Sequence, residues 1–406
     1  MDIKDQADIL KRGTTGIIPE GGLERKLEMS AKTGKPLRIK LGLDPTAPDI
    51  HLGTAVVLRK LRQFQNLGHE VIVIIGDFTA MIGDPSGKSE TRKQLSPEDV
   101  RVNAATYEAQ YHKILDPNRT QVRFNSEWLG KMDFFQVIQL SARMTVAQIL
   151  ERDDFANRFR EGRPIGLHEL LYPLCQAYDS VELKADIEMG GTDQMFNILA
   201  GRVLQTQYGQ DPQTALFTPL LVGLDGVQKM SKSLGNYVGI SESPDAIFGK
   251  LMSIPDSAMR TYFELATEIP MQQVEEMVTS CDRGAMNPKD AKRILAKEIV
   301  SIYHSAEDAN KADMEFERVH ARKEQPDDIP EMPFPKEEMK DGKLWVCKLL
   351  PSIGLAKGTG EARRLIEQGG VKVDGKKINS SSDEFSEEEL KGRVVQVGNR
   401  HFIRIV

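Results

Sequence analysis

Four short stretches of this 406-residue chain hold residue types suited to phosphate and acid–base chemistry. The first, DPTAPDIHLGTAVVLRKL, begins at Asp44 and ends at Leu61. Pro45 and Pro48 keep it extended up to Ile50, because each fixes its own φ and turns its predecessor away from the α region. From Gly53 the pattern becomes helical, with Val56, Val57 and Leu61 apolar against Arg59, Lys60 and Arg62. His51 therefore stands at a helix N-terminus, where free N–H groups and the helix dipole favour an anion such as phosphate. The second stretch, MIGDPSGKS, begins at Met81 and resembles a P-loop, but Gly83 and Gly87 are four apart where that loop needs five. Its Asp84-Pro85 turn still follows a strand, the edge at which open α/β sheets bind ligands. The third, KMSKS, carries Lys229, Met230, Ser231 and Lys232 between Gly226 and Gly235. Lysines there act as mobile point charges for phosphate, and the glycines let the loop move. The fourth, YPLCQAYD, sets Tyr172, Gln176 and Asp179 at i, i+4 and i+7, on one helix face bordered by Leu170, Leu171, Leu174 and Ala177. Taken singly, a loop–helix junction capped by Thr54, a solvated lysine loop and a solvent-facing polar stripe would account for three of the four.

The elements that must position these residues follow from the hydrophobic pattern. Leu37 to Leu43 reads as a strand, and VIVIIG (Val71 to Gly76) as a fully buried one, with a helix between them. Strand–helix–strand with an all-apolar second strand argues for a parallel sheet covered on both faces. From Ser126 to about Ser180 the pattern is mostly helical, then LKADIEMGG returns to strand, and Ala215 to Val222 gives another. A charge-rich helical segment runs from Ser243 to His320. KEQPDDIPEMPFPKEEMKDG, with Pro326, Pro330, Pro333 and Pro335 among acids, is expected to be an extended linker. Behind it, a helix at Glu361 to Gln368 and a hairpin turning at Asp374-Gly375 form a separate small unit.

Composition narrows the class. Hydrophobic residues make up 40% and charged residues 28%, as in a water-soluble globular protein. No apolar run approaches a membrane span, and MDIKDQADILKRG lacks the basic-then-apolar layout of a signal peptide. Cys175, Cys281 and Cys347 are scattered and outside any metal-type cluster, so a cytoplasmic location with reduced thiols is expected. The net charge of −6 is unevenly spread. From Lys343 to Val406 there are 12 Lys and Arg against 8 acids, a net of +4 behind an acidic body, which points to a nucleic-acid partner.

His51-Leu-Gly followed 178 positions later by KMSKS resembles the paired signature of class I aminoacyl-tRNA synthetases. GLDPTAPDIHLG, GDPSGKS, YxxxQxxD and GGTDQ together resemble a bacterial tyrosyl-tRNA synthetase, and GLAKGTGEARRLIEQGGVKVDGKKI resembles an S4 RNA-binding module. The resemblance covers nearly the whole chain and implies an α/β fold. Its parts are a Rossmann-like parallel-sheet catalytic domain at 1–225 with a helical insertion about 126–185, a KMSKS loop at 226–240, and a helical anticodon-binding domain at 241–324. A linker at 325–342 and a small α+β S4 domain at 343–406 complete it. It also implies two steps: tyrosine and ATP give tyrosyl-adenylate and pyrophosphate, then the tyrosyl group passes to tRNA(Tyr). Catalytic roles fall on His51, Thr54, Lys229 and Lys232. ATP would meet Asp44, Thr46, His51, Gly53, Gly190, Gly191, Asp193, Lys229, Met230, Ser231 and Lys232. Asp84, Tyr172 and Gln176 would hold the tyrosine ammonium, Asp179 would accept from the phenol, and Gln194 would line the same pocket. Arg363, Arg364, Lys372, Lys376 and Lys377 would contact tRNA. Mg²⁺ would arrive with ATP, with no tightly bound cofactor and no dedicated metal site. A homodimer formed through the insertion is implied, with no membrane partner.

Two positions depart from the family pattern. Thr54 stands where many members have His or Asn, and Lys40 where some have a phenol-binding Tyr, which leaves a second phenol contact unassigned. The alternatives are a non-catalytic RNA-binding paralogue, which Thr54 alone favours, and a related amino-acid-activating enzyme.

Overall fold

The computed structural model describes residues 1–44, 50–84, 96, 98, 102, 110–321, 329–339, 342–398 and 401–406. The chain forms two compact units, Met1–Ala306 and Glu307–Val406.

The first unit is built on a six-stranded sheet of β1 (Gly16–Ile18), β2 (Arg38–Leu43), β3 (Glu70–Ile75), β4 (Thr120–Phe124), β5 (Ile187–Gly191) and β6 (Thr214–Thr218). The order is β1-β6-β5-β2-β3-β4. β2 to β6 are mutually parallel, and β1 pairs antiparallel with β6. The parallel sheet expected from the apolar strands, and Rossmann-like as the resemblance implies, is therefore present. Val71 to Ile75 of β3 are at most 1% exposed, which explains why that strand shows no polar alternation. From β2 the chain builds outward through β3 to β4, then returns to lay β5 along the other side of β2. The carboxyl ends of β2 and β5 thus flank the point where strand order reverses, the usual place for a ligand crevice.

Helix α1 (Ile3–Lys11), helix α2 (Gly22–Thr33) and the strands β1 and β4 were not among the elements expected from sequence. Helix α3 (Leu52–Asn66) follows β2 and buries Leu52, Ala55, Leu58, Leu61 and Phe64. Helix α4 (Asp77–Ile82) follows β3. Between β4 and β5 lie the helices Ser126–Leu129, Phe134–Ser141, Val146–Ile149, Asp153–Arg160 and Tyr172–Leu183. Past β6, the helices Pro244–Met252, Met259–Ala266, Met271–Asp282 and Pro288–Tyr303 complete the unit.

In the second unit, Val371–Val373 and Lys376–Lys377 form the expected hairpin, with Asp374 at φ 48° and Gly375 at φ 78°. Both turn residues are left-handed, the conformation an Asp-Gly turn supplies. The helices Val346–Ser352 and Thr359–Glu367 pack on this sheet through Leu349, Leu350, Ala362, Ile366, Val371 and Val395. The proline-rich stretch differs from the linker expected at 325–342. In its described part, Glu331–Met332 adds a strand parallel to His401–Ile405, and Ile329 and Phe334 are buried. Prolines suit such an edge strand, which need not donate on its outer side. The division between units accordingly falls near Ala306, ahead of the prolines.

Candidate active site

One cavity of about 630 Å³ opens at the carboxyl ends of β2 and β5. Among its lining residues are Asp44, His51, Gly53, Thr54, Asp84, Tyr172, Gln176, Asp179, Gly190, Gly191, Asp193, Gln194, Lys229, Met230, Ser231 and Lys232. All four sequence stretches therefore converge on it. Thr46 lies outside the described residues.

His51 is the N-cap of α3, extended at φ −107°. Its Nδ1 accepts the Thr54 N–H at 3.3 Å, so the ring proton sits on Nε2. Burial, aided by the nearby charge of Lys232, lowers the imidazole to about 4. His51 is thus a neutral hydrogen-bond donor near pH 7, not a cation. A Cβ at Gly53 would press on the His51 ring at 3.1 Å and touch Met230 at 3.5 Å, so glycine leaves the His51 ring the most room here.

Asp44 ends β2. It accepts from Thr79 Oγ1 at 2.9 Å and from the Tyr172 hydroxyl at 2.8 Å. A Cβ on Gly76 would collide with both Asp44 Oδ1 and Thr79 Oγ1, so this glycine permits the arrangement. Asp84 accepts from Gln194 Nε2 at 2.9 Å and pairs with Arg152 Nη2 at 3.3 Å. Arg152 also donates to Asn197 Oδ1 at 2.9 Å, and Asn197 Nδ2 donates to Gln194 Oε1 at 2.9 Å. Three side chains, Arg152, Asn197 and Gln194, thereby close a ring with the Asp84 carboxylate.

Asp179 is 3% exposed at the apolar end of the cavity. Trp128 Nε1 donates to its Oδ1 at 2.8 Å and Asn125 Nδ2 to its Oδ2 at 3.4 Å. Burial raises its carboxyl to about 7, against the charge of Lys40 and these two hydrogen bonds. Lys40, whose contact with a phenol sequence left open, does not line the cavity. It lies fully buried below it, with Nζ on Glu188 Oε1 at 2.9 Å, Ser180 Oγ at 2.8 Å and the Gln176 carbonyl at 3.0 Å.

Across the cavity, the lysine loop is stapled at its base. Asp225 Oδ1 accepts from Val227 N and Gln228 N, both at 2.8 Å, and Asp225 Oδ2 from Asn236 Nδ2 at 2.7 Å. Asn236 Oδ1 accepts from Ser231 N at 2.8 Å, and Met230 is buried. Lys229 and Lys232 are thus presented from a fixed base, and Lys229 reaches Asp193 at 3.4 Å. The five basic residues singled out for RNA lie in the other unit. Arg363 and Arg364 are exposed on the Thr359–Glu367 helix, Lys376 and Lys377 are exposed on the hairpin, and Lys372 is half-buried.

Sequence reasoning missed Asn125, Trp128, Arg152, Asn197, Thr79 and Glu188. Each serves a carboxylate or amide that the motifs did contain, and the requirement that a buried polar group find partners is the signal that they exist.

A family model described as tRNA synthetases class I (W and Y) matches residues 32–321, and an S4 domain model matches residues 346–390. The tyrosine–tRNA ligase of Moorella thermoacetica is 55% identical over 404 residues, covering 100% of this chain and 96% of its own. That of Carboxydothermus hydrogenoformans is 56% identical over 405 residues, covering 100% and 98%. Among solved structures, a C-terminally truncated mitochondrial tyrosyl-tRNA synthetase from Aspergillus nidulans matches with a TM-score of 0.65 at 22% identity, covering 78% of this chain and 94% of that one. The tyrosyl-tRNA synthetase of Archaeoglobus fulgidus, complexed with L-tyrosine, matches at 0.62 and 24% identity, covering 77% and 100%. At those identities the two structures speak for the fold alone. With full-length relatives above half identity and a class I model over most of its length, the chain belongs to the tyrosine–tRNA ligases of class I.

Proposed function

We propose that this cavity joins tyrosine to ATP and then to tRNA(Tyr). The observation that carries the reading is the cavity itself: an anion-favouring helix start and two loop lysines line one cavity together with a buried carboxylate. A tyrosine carboxylate oxygen attacks the α-phosphorus of ATP, the bond to the bridging oxygen breaks, and pyrophosphate leaves. The terminal ribose hydroxyl of tRNA then attacks the tyrosyl carbonyl, and AMP leaves with the bonding electrons. Phosphoryl transfer of this kind needs positioning and charge neutralisation more than covalent help.

His51 Nε2–H and the start of α3 would donate to the phosphates, with Gly53 and Thr54 beside them. Lys229 and Lys232 would close on the leaving pyrophosphate. The Lys229–Asp193 pair is half exposed on the lysine side, so its release costs little. Release would also leave Asp193 to the ribose, alongside Gly190 and Gly191. Asp44 and Thr46 would sit near the α-phosphate, and Met230 and Ser231 would complete the ATP side. Asp84, Tyr172, Gln176 and Gln194 would hold the ammonium, and Asp179 the phenol. Mg²⁺ would enter as the ATP complex. Arg363, Arg364, Lys372, Lys376 and Lys377 would meet tRNA phosphates.

Phe134, Phe135, Ile138, Val146, Phe159 and Leu167 are all exposed within the insertion, and Phe134 is 80% exposed. So much apolar surface on one segment supports a homodimer there. Among the described residues no helix is long and apolar enough to cross a membrane. The cytoplasm, where tRNA and ATP meet, would be the site of action.

ATP–pyrophosphate exchange with each amino acid in turn tests the reading, with light scattering on the same sample for the dimer of 45.4 kDa chains. Tyrosine should be the only strong substrate. Exchange with tryptophan alone would point to a related activating enzyme, and no exchange at all to a non-catalytic paralogue.

A further inference from the structure

Lys40 and Glu188 form a fully buried ion pair beneath the amino-acid end of the cavity. They are cross-strand neighbours, in register between β2 and β5, and both point at the Tyr172–Leu183 helix. Their exposures are 0% and 1%. The three hydrogens of Lys40 Nζ match its three acceptors: Glu188 Oε1, Ser180 Oγ and the Gln176 carbonyl. Glu188 accepts from Lys40, from Gln176 Nε2 at 3.4 Å, from Ser180 Oγ at 2.9 Å and from Gln213 Nε2. Neither side chain lines the cavity, but Gln176 does.

A buried ion pair is weak evidence for stability, because desolvation offsets most of its attraction. What this pair does supply is orientation. A carboxylate can only accept, so the Gln176 group facing Glu188 must be its NH₂. The amide oxygen of Gln176 is then the atom left for the cavity. An ammonium can only donate, so it needs that oxygen and would be repelled by a flipped amide. Lys40 meanwhile holds the backbone carbonyl of the same residue, which fixes where the side chain starts.

We propose that Lys40 and Glu188 are positioning residues for tyrosine binding, which hold the Gln176 amide with its oxygen toward the substrate ammonium. This rests on the reading of the cavity as a tyrosine site. The pair acts through Gln176 and touches no substrate itself.

The test is a cycle in the full-length protein. Lys40→Met/Glu188→Met removes both charges together and leaves no lone buried ion. Tyrosine KM in pyrophosphate exchange should rise about tenfold, the scale of one lost hydrogen bond to a charged group, with kcat and the KM for ATP near wild type. In a Gln176→Met background the same double change should add little further effect. Lys40→Met/Glu188→Gln, which likewise leaves no lone buried charge but still offers Gln176 Nε2 an amide oxygen, should restore near-normal tyrosine KM. If the double variant does not fold, Ser180→Ala carries the test, because it loosens both members while keeping both charges. It should raise tyrosine KM severalfold. Unchanged tyrosine KM in a folded variant, or tyrosine and ATP KM rising together, overturns the proposal. Failure of the wild-type protein to exchange with tyrosine instead overturns the underlying reading.

Discussion

Asp179 shows what a single residue contributes and what it needs. Its carboxyl is raised to about 7, mainly by burial. A phenol donates to the ionised form, so binding tyrosine favours loss of the Asp179 proton. Tyrosine affinity should therefore weaken as pH falls below about 7, by up to tenfold per unit, and level off above it. A flat tyrosine KM between pH 6 and 8 would contradict this. Asp179→Asn should abolish that pH dependence and weaken tyrosine by roughly 1.5–3 kcal/mol, while leaving ATP affinity near wild type. Asp179 itself was legible, because i, i+4, i+7 spacing declares a shared helix face. Trp128 and Asn125 were not, since they arrive from a segment some 50 positions away and follow no period. Lys40 was noticed only as a departure. Its burial against Glu188 depends on strand register between β2 and β5, which no local pattern encodes.

At the scale of elements, legibility followed how completely an element is buried. β3 is apolar and buried from Val71 to Ile75 and was read directly, whereas β4, TQVRF, is an edge strand with two exposed positions. β1 has three residues, too few for a period. The lysine loop was legible as glycine-flanked lysines, but its staple was not. Asp225 and Asn236 are eleven apart and meet only because the chain doubles back, with Met230 N on Leu221 O at 2.8 Å. A stapled base carrying exposed Lys229 and half-buried Lys232 suits contacts made chiefly when charge develops on the leaving group. Lys229→Ala and Lys232→Ala should each slow adenylate formation by roughly 2–4 kcal/mol in barrier, with tyrosine binding almost unchanged. Thermal stability should hold in Lys229→Ala, because the Lys229–Asp193 pair is solvent-screened. Pre-steady-state traces showing weaker tyrosine binding at an unaltered rate would assign the loop another job.

For the whole molecule, every described lining residue of the cavity lies between Leu41 and Lys232, inside the first compact unit. The basic residues proposed for RNA lie in the second, whose last 64 residues carry the net of +4. Composition had marked the two units as chemically different, but it placed their division in the proline-rich stretch. The structure moves it, because Glu331–Met332 is a strand of the C-terminal sheet and Phe334 sits in its core. A truncation at Lys340 would strip that strand of its partner and expose Phe334. Ending the chain after Ala306 respects both cores. That variant should keep tyrosine-dependent pyrophosphate exchange near normal and lose most tRNA charging. In the full-length chain, Arg364→Glu with Lys376→Glu and Lys377→Glu should do the same without removing any element. These side chains are exposed, so the fold should tolerate the change. If they meet tRNA phosphates, each one lost should flatten the dependence of log affinity on log salt by roughly one. Equal loss of exchange and charging would make the second unit structural support for the first. Undiminished charging with an unaltered salt slope would place the tRNA contacts on some other surface.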